Sequence, residues 1–157
     1  MKASSLKELK TELETLSQRQ IIDVCMRLVK YKKENKELLT YLLFQAGDEQ
    51  AYINEVKEHI NEQFEGVNKS NLYLSKKMLR KILRTSNKFI RYSGSKQTEV
   101  ELRIFFCKKL KSSGIPLHTN KALDNLYQRQ IQKINTALAS LHEDLQYDYS
   151  VELKELY

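Results

Sequence analysis

Glycine and proline are scarce in this chain, and their positions limit the folds open to it. The 157 residues include only four glycines and one proline, and each glycine follows a segment with apolar residues at helical spacing. Glycine can adopt the left-handed conformation that ends a helix, and proline cannot continue one. The five residues are Gly47, Gly66, Gly94, Gly114 and Pro116. Because the segments between them show no sustained alternation of apolar and polar residues, the sequence predicts an all-α fold.

Capping residues and apolar spacing predict seven to eight helices. In LSQRQI, Ser17 can cap a helix while Gln20 reaches back to the Ser17 amide. Four leucines before it predict a short amphipathic helix, and IIDVCMRLV after it predicts a largely buried one. We expect a break near Asn35. Further helices are expected at about 48–65, 70–92, 96–112, 119–146 and 148–156, with Thr119 as the N-cap of the long one.

The length and the helix order indicate how these helices pack. The chain suits one domain, residues 1–157, that buries a core without disulfides or metals. Helices of similar length joined by short loops predict antiparallel hairpins, stacked as a short right-handed, repeat-like bundle. The helix at 96–112 is apolar around most of its circumference and should be central, with partners for Glu101 and Arg103. The tail at 148–156 would either dock on this domain or pair two chains as a homodimer.

Several classes of protein do not fit the sequence. No apolar run approaches the length of a membrane span, and the start MKASSLKELK lacks the apolar stretch of a secretory signal, so we expect a cytoplasmic protein with no membrane partner. Cys25 and Cys107 lie in apolar surroundings without a CxxC pair or a histidine at metal-ligand spacing. Both are expected to be reduced core residues.

The two ends of the chain carry a family resemblance. The segment LSQRQIIDVCMRLVKYKKENKELLTYLLF, together with LHEDLQYDYSVEL near the C-terminus, resembles an uncharacterised bacterial family of all-helical domains of unknown function. The resemblance rests on the Leu-Ser helix start and on the apolar spacing. It implies helices and a cytoplasmic bacterial setting, and it carries no functional residue over.

The positive charge is concentrated in the middle of the chain. The formal net charge is +7, and residues 69–111 hold 13 Lys and Arg against 2 Asp and Glu. The rest of the chain has more acidic than basic side chains. Charge of one sign at this density creates a local field that attracts polyanions, although it has little bearing on the fold.

The segment KKMLRKILRTSNKFIR, residues 76–91, contains seven basic residues and no acidic one. At about 100° per residue its apolar side chains fall on one side of a helix and its basic side chains on the other. We call this basic side the basic stripe; it comprises Lys77, Arg80, Lys81, Arg84, Lys88 and Arg91, with Lys76 and Lys96 at its margins. Tyr73 and Tyr92 lie at its two ends and are candidates for stacking on unpaired bases.

Two explanations of the basic stripe remain open at this point. Like charges four residues apart destabilise a helix slightly, so the repulsion along the stripe must be offset by negative charges nearby. Acidic side chains of a neighbouring helix, such as Glu55, Glu58 or Glu62, would provide it internally. A bound polyanion would provide it externally, because each Lys or Arg along the face can neutralise a phosphate.

No motif of an enzyme or of a cofactor site is present. The connector YSGSKQTEVE lacks the Walker pattern, and Ser95 or Thr98 as a helix cap explains it without a ligand. The three histidines form no HExxH pair, and we expect no cofactor and no metal. The favoured function is a non-enzymatic helical module that contacts nucleic acid or an acidic protein. The alternatives are a structural or oligomeric scaffold with an internally neutralised basic face and, third, a small-molecule enzyme assembled from distant residues.

Overall fold

The computed structural model describes residues 2–117 and 119–157, and these residues form eight α-helices, one π-helical turn and no strand. The all-α prediction is therefore confirmed. The helices are α1 Leu6–Thr15, α2 Gln18–Tyr31, α3 Lys33–Thr40, α4 Glu49–Glu65, α5 Leu72–Ser93, α6 Lys96–Ser112, α7 Lys121–Leu138 and α8 Glu143–Lys154, with the π-helical turn Tyr41–Gln45 after α3. In this part of the chain, no helix combines the length and the apolar character that crossing a bilayer requires.

The chain forms two compact units, Met1–Phe44 and Gln45–Tyr157. In the first, the predicted capping box at Ser17 is confirmed: the Ser17 amide donates to Gln20 Oε1 at 2.9 Å, and the Gln20 amide donates to Ser17 Oγ at 3.4 Å. The predicted break near Asn35 lies instead at Lys32, which is the C-cap of α2 and the N-cap of α3. Asn35 Nδ2 donates to the carbonyl of Leu28 at 2.7 Å and so joins α3 to α2. That bond explains why Asn35 lies inside α3 and not at the break.

The prediction that α2 is largely buried is wrong. Neither α1, α2 nor α3 contains a buried residue, and the apolar residues Ile22 and Leu28 are 53% and 55% exposed. Cys25 is exposed as well, so its assignment to the core is wrong. The reason is that the first unit is a small helical segment in which α2 packs on α3. A single helical neighbour covers only part of the circumference of an apolar helix.

The second unit is built around α6. This helix packs against α4, α5, α7 and α8, as its apolar circumference predicted. Val100, Leu102 and Leu110 are completely buried, and so is Cys107, whose assignment to the core is confirmed. Burial raises the pKa of the Cys107 thiol to about 12, so the sulfur stays protonated as a small apolar group.

The charged residues of α6 have the partners that burial requires. Glu101 accepts hydrogen bonds from Lys57 Nζ and from the Tyr149 hydroxyl, both at 2.8 Å. Arg103 donates to Glu99 and Gln130. A buried charge without a partner would cost several kcal/mol, so these contacts are conditions for α6 to occupy the centre.

The predicted long helix at 119–146 is wrong. Asn120, not Thr119, caps α7, since its Oδ1 accepts from two amides of the first turn. The chain then turns after Leu138, and α8 begins at Glu143 with His142 as its N-cap. The turn was missed because ALASLH contains neither glycine nor proline.

The C-terminal tail docks on its own chain. Leu153 and Leu156 are buried, the Tyr127 hydroxyl donates to the carbonyl of Leu156 at 2.7 Å, and Lys108 pairs with Glu152 at 2.8 Å. The two leucines therefore belong to the core of the second unit. The homodimer, the single domain over 1–157 and the right-handed stacking of hairpins stay predictions.

Candidate functional site

The basic stripe lies on α5, whose ends and buried face are well defined. Asn71 caps the start, and Gly94 closes the end in the left-handed conformation at φ 68°, with its amide bonded to the carbonyl of Ile90. The buried residues recur at spacings of three and four: Ser75, Leu79, Ile82, Ser86 and Ile90. The two serine hydroxyls donate to carbonyls of the preceding turn and so enter the core without an unpaired donor.

Most cations of the basic stripe lie at the surface and have no acidic partner among the described residues. Among the described residues, no carboxylate lies within ion-pair distance of Lys76, Lys77, Arg80, Lys81, Arg84 or Arg91. The acidic residues considered as internal offsets have other neighbours. Glu55 accepts from Gln45 at 2.8 Å, and Glu62 lies 3.9 Å from His59. At the margin of the stripe, Lys96 is the exception, since it pairs with Glu99 at 2.9 Å.

Lys88 and the two candidate stacking residues lie in different surroundings. Lys88 Nζ lies 5.1 Å from the ring centre of Phe89 and 5.9 Å from that of Tyr92, so it makes cation–π contacts. Tyr92 is half-buried and packs edge-on against Phe89, whereas Tyr73 is 71% exposed. Of the two tyrosines, Tyr73 has the freer ring face.

Two clefts lie along α5, the first between α5 and the start of α6 with Lys133 of α7 at its side, and the second between α5 and α7. The first has a volume of about 710 Å³ and is lined by Arg84, Asn87, Ile90, Arg91, Gly94, Ser95, Lys96, Glu99, Arg103 and Lys133. The second, of about 670 Å³, is lined by Arg80, Leu83, Ala122, Asn125, Leu126, Arg129, Gln130, Gln132, Lys133 and Thr136. Lys133 lines both clefts. We call the pair the α5–α7 groove.

The α5–α7 groove is strongly cationic. Its basic residues are Arg80, Arg84, Arg91, Lys96, Arg103, Arg129 and Lys133, and its only carboxylate is Glu99. Five of these cations, all except Lys96 and Arg103, make no ion pair with a described residue. A concave surface lined by charges of one sign concentrates the field, so this groove is where an anion is attracted most strongly.

The groove divides the basic stripe into two sets. The arginines of α5, at positions 80, 84 and 91, line the clefts. The lysines at positions 77, 81 and 88 line neither cleft, and we call them the crest lysines. Arginine presents a planar fork of donors that matches the oxygens of phosphates and carboxylates. The residues with the better geometry for anions are thus the ones inside the groove.

Arg103 is a fixed part of the lining of the first cleft. Its side chain is buried, its Nε and Nη2 donate to Glu99 Oε1 at 3.0 and 2.9 Å, and its Nη1 donates to Gln130 Oε1 at 2.8 Å. Partial burial of Glu99 favours its protonated form, but hydrogen bonds from Lys96 and Arg103 outweigh this and lower its pKa. Glu99 therefore stays ionised and holds Arg103 in place between α6 and α7.

The sequence pattern did not reveal Arg103, Arg129 and Lys133 as part of this site. Arg129 and Lys133 lie four residues apart in LYQRQIQK, on the exposed face of α7, where two basic residues look like an ordinary solvated surface. They reach the basic stripe only because α5 and α7 both pack on α6. The only sequence pattern that pointed to them was the spacing of two basic residues by four positions. That pattern indicates a binding site only once the packing of α5 and α7 on α6 is known.

The described residues contain no group of three or more histidine, cysteine, aspartate or glutamate side chains placed to hold a metal ion. His118 lies outside the described residues. The remaining histidines have local neighbours: His59 lies 2.6 Å from Gln63, and His142 caps α8.

Comparisons of the chain with models of protein families, with curated proteins and with solved structures find no match. The resemblance of the two chain ends to a bacterial helical family stays a prediction, and the α5–α7 groove is the feature from which a function can be argued.

Proposed function

We propose that the protein is a non-enzymatic helical binding module that contacts a polyanion, nucleic acid or an acidic protein surface, through the basic stripe, and that it works in the cytoplasm. The observation that carries the proposal is that most cations of the stripe have no acidic partner among the described residues. Six of its cations, including Lys76 at the margin, face solvent without a carboxylate in reach. An external polyanion offsets their mutual repulsion, because each neutralised phosphate also releases a counterion.

The test is binding of labelled oligonucleotides at several salt concentrations, measured by fluorescence anisotropy. We expect the logarithm of the affinity to fall with the logarithm of the salt concentration with a slope of about −3 to −5, which corresponds to roughly four to six phosphates. The variant Arg80→Gln/Arg84→Gln/Arg91→Gln should flatten that slope by about two to three units. These side chains are exposed, so circular dichroism should show an unchanged fold.

Binding of oligonucleotides and of an acidic peptide at low salt together decides whether the proposal stands. A chain that binds neither at low salt would refute the polyanion proposal. Equal salt slopes for the triple variant and the wild type would remove these arginines from the binding surface.

A second candidate is a structural or oligomeric scaffold, and the first unit favours it. Twelve of the seventeen large apolar side chains that are exposed in the described residues belong to residues 6–44. Large exposed apolar patches mark protein interaction sites, and a unit with this many exposed apolar side chains is a candidate for one. Sedimentation of the full-length chain at micromolar concentration tests this candidate, because a scaffold that assembles with itself has the mass of an oligomer.

A further inference from the structure

We infer that the α5–α7 groove holds one unpaired strand of nucleic acid along its phosphates, with α7 as the second wall of the site. This inference rests on the proposed function and specifies its partner. Two residues outside the basic stripe, Arg129 and Lys133, contact the strand in this proposal. The crest lysines do not contact it directly.

The first argument is the match in length and charge. From Arg80 to Arg91, α5 advances about 17 Å at about 1.5 Å per residue. A strand stacked as in a duplex has a phosphate about every 3.4 Å along its axis, and a less stacked strand has fewer, so this wall runs beside at most about five phosphates. Five cations that make no ion pair with a described residue line the groove: Arg80, Arg84, Arg91, Arg129 and Lys133.

The second argument concerns the size of the clefts. Volumes of about 710 and 670 Å³ are those of sites that hold small molecules. Such clefts admit individual nucleotide units of a single strand. A duplex, whose major groove alone is about 12 Å wide, is much larger than either cleft, so it would rest on the rims of the clefts and not inside them. It would contact the exposed cations at the rims and leave the apolar lining of the second cleft, Leu83 and Leu126, unused.

The third argument is the lining of the second cleft, which suits a base. Leu83 and Leu126 supply apolar surface, and Asn125 and Gln132 supply amide donors and acceptors close by. A nucleobase has an apolar face and a hydrogen-bonding edge, so it can use both kinds of group. An acidic peptide would use the cations and leave the rest of this lining unused. The cleft therefore favours nucleic acid over an acidic protein.

The experiment compares two double variants of the full-length chain that remove the same charge. Arg129→Gln/Lys133→Gln changes the α7 wall, and Lys77→Gln/Lys81→Gln changes two crest lysines. All four side chains are exposed, so both variants should fold, which thermal unfolding checks. The probes are a single-stranded oligonucleotide of about 12 nucleotides, within the range of known single-strand sites, its duplex, and a polyglutamate peptide.

For the single strand, we expect the α7 variant to lose at least tenfold in affinity and its salt slope to flatten by about 1.4 units, since each neutralised phosphate contributes about 0.7. The crest variant should lose several-fold less, because it alters only the long-range field. The wild type should bind the single strand more tightly than the duplex or the peptide at equal salt.

The results separate the inference from the proposed function. Equal losses of affinity for the single strand in the two variants would show that the groove is not the binding site. Binding would then be a property of the basic surface as a whole. Equal or tighter binding of the duplex would overturn the preference for one strand, and tighter binding of polyglutamate would overturn nucleic acid as the partner. Only a wild type that binds none of the three probes would refute the proposed function as well.

Discussion

Arg103 is the only charged residue that is buried among the residues the structure describes. Its guanidinium donates hydrogen bonds to one carboxylate oxygen of Glu99 and to the amide oxygen of Gln130. Because the loss of either partner would leave a buried charge with an unfilled donor, this residue fixes α7 against α6 more strictly than apolar contact alone does. The position of Lys133 in the groove, three residues after Gln130, depends on that constraint.

Ile82 tests the buried face of α5 at the scale of one residue. It is completely buried, so Ile82→Ala should lower the free energy of unfolding by about 2 to 5 kcal/mol through lost burial and the cavity that remains. Ile22→Ala removes the same atoms from an exposed site, and its effect should stay below about 0.5 kcal/mol. Reversible denaturant unfolding measures both. Similar losses for the two variants would contradict the burial described for α5 or the exposure described for α2.

Local chemistry explains which features could be predicted from the sequence. The Ser17 capping box and the bounds of α6 depend on residues within four positions of each other, and both were predicted. The exposure of Cys25 was not, because apolar neighbours in sequence indicate a buried face only if another element covers that face. Likewise, the position of Arg129 beside Arg80 depends on two helix packings that leave no local pattern.

At the scale of the element, α6 organises the site. It carries Glu99 and Arg103 in its first turns, and the N-terminal end of a helix favours a carboxylate such as Glu99. Ser95 caps this helix, while the hydroxyls of Ser93 and Thr98 donate to Glu49 of α4. The start of α6 is thereby held to both α5 and α4.

The lowered pKa of Glu99 predicts how this element responds to acid. A carboxyl group whose pKa is lower in the folded state stabilises the fold above its ordinary value of 4.5. That contribution is lost as the pH falls through the lowered pKa. The free energy of unfolding should therefore decrease below about pH 4.5, and Glu99→Gln should make that decrease shallower.

The Glu99→Gln variant will also be less stable at neutral pH, because it deprives Arg103 of its counter-charge. Exposed Glu58 makes no ion pair with a described residue, so Glu58→Gln is the matched control and should keep the pH dependence of the wild type. Thermal unfolding measured from pH 3 to 7 compares the three chains. If Glu99→Gln followed the wild-type curve, Glu99 would have no part in acid stability.

At the scale of the whole molecule, the two units differ in the chemistry of their surfaces. The cationic groove lies in the second unit, and most of the exposed apolar side chains lie in the first. One chain can thus present two surfaces of different chemistry. The scaffold and the polyanion module are for this reason compatible descriptions of different parts of the protein.

The tail offers a prediction about the whole chain. Removal of residues 147–157 should lower the midpoint of thermal unfolding, because Tyr149, Leu153 and Leu156 cover α6 and α7. The oligomeric state measured by light scattering should not change, because these side chains are buried within their own chain. A full-length dimer that became a monomer on truncation would show instead that the tail joins two chains.

The two walls of the α5–α7 groove belong to different helices, and both are held by α6. A ligand that contacts both walls is therefore thermodynamically linked to folding, since it binds only while α5 and α7 keep their places. When its free concentration is one hundred times its dissociation constant, such a ligand would add about 2.7 kcal/mol to the free energy of unfolding. In a cell, occupancy of the groove would then set how long the chain survives proteolysis.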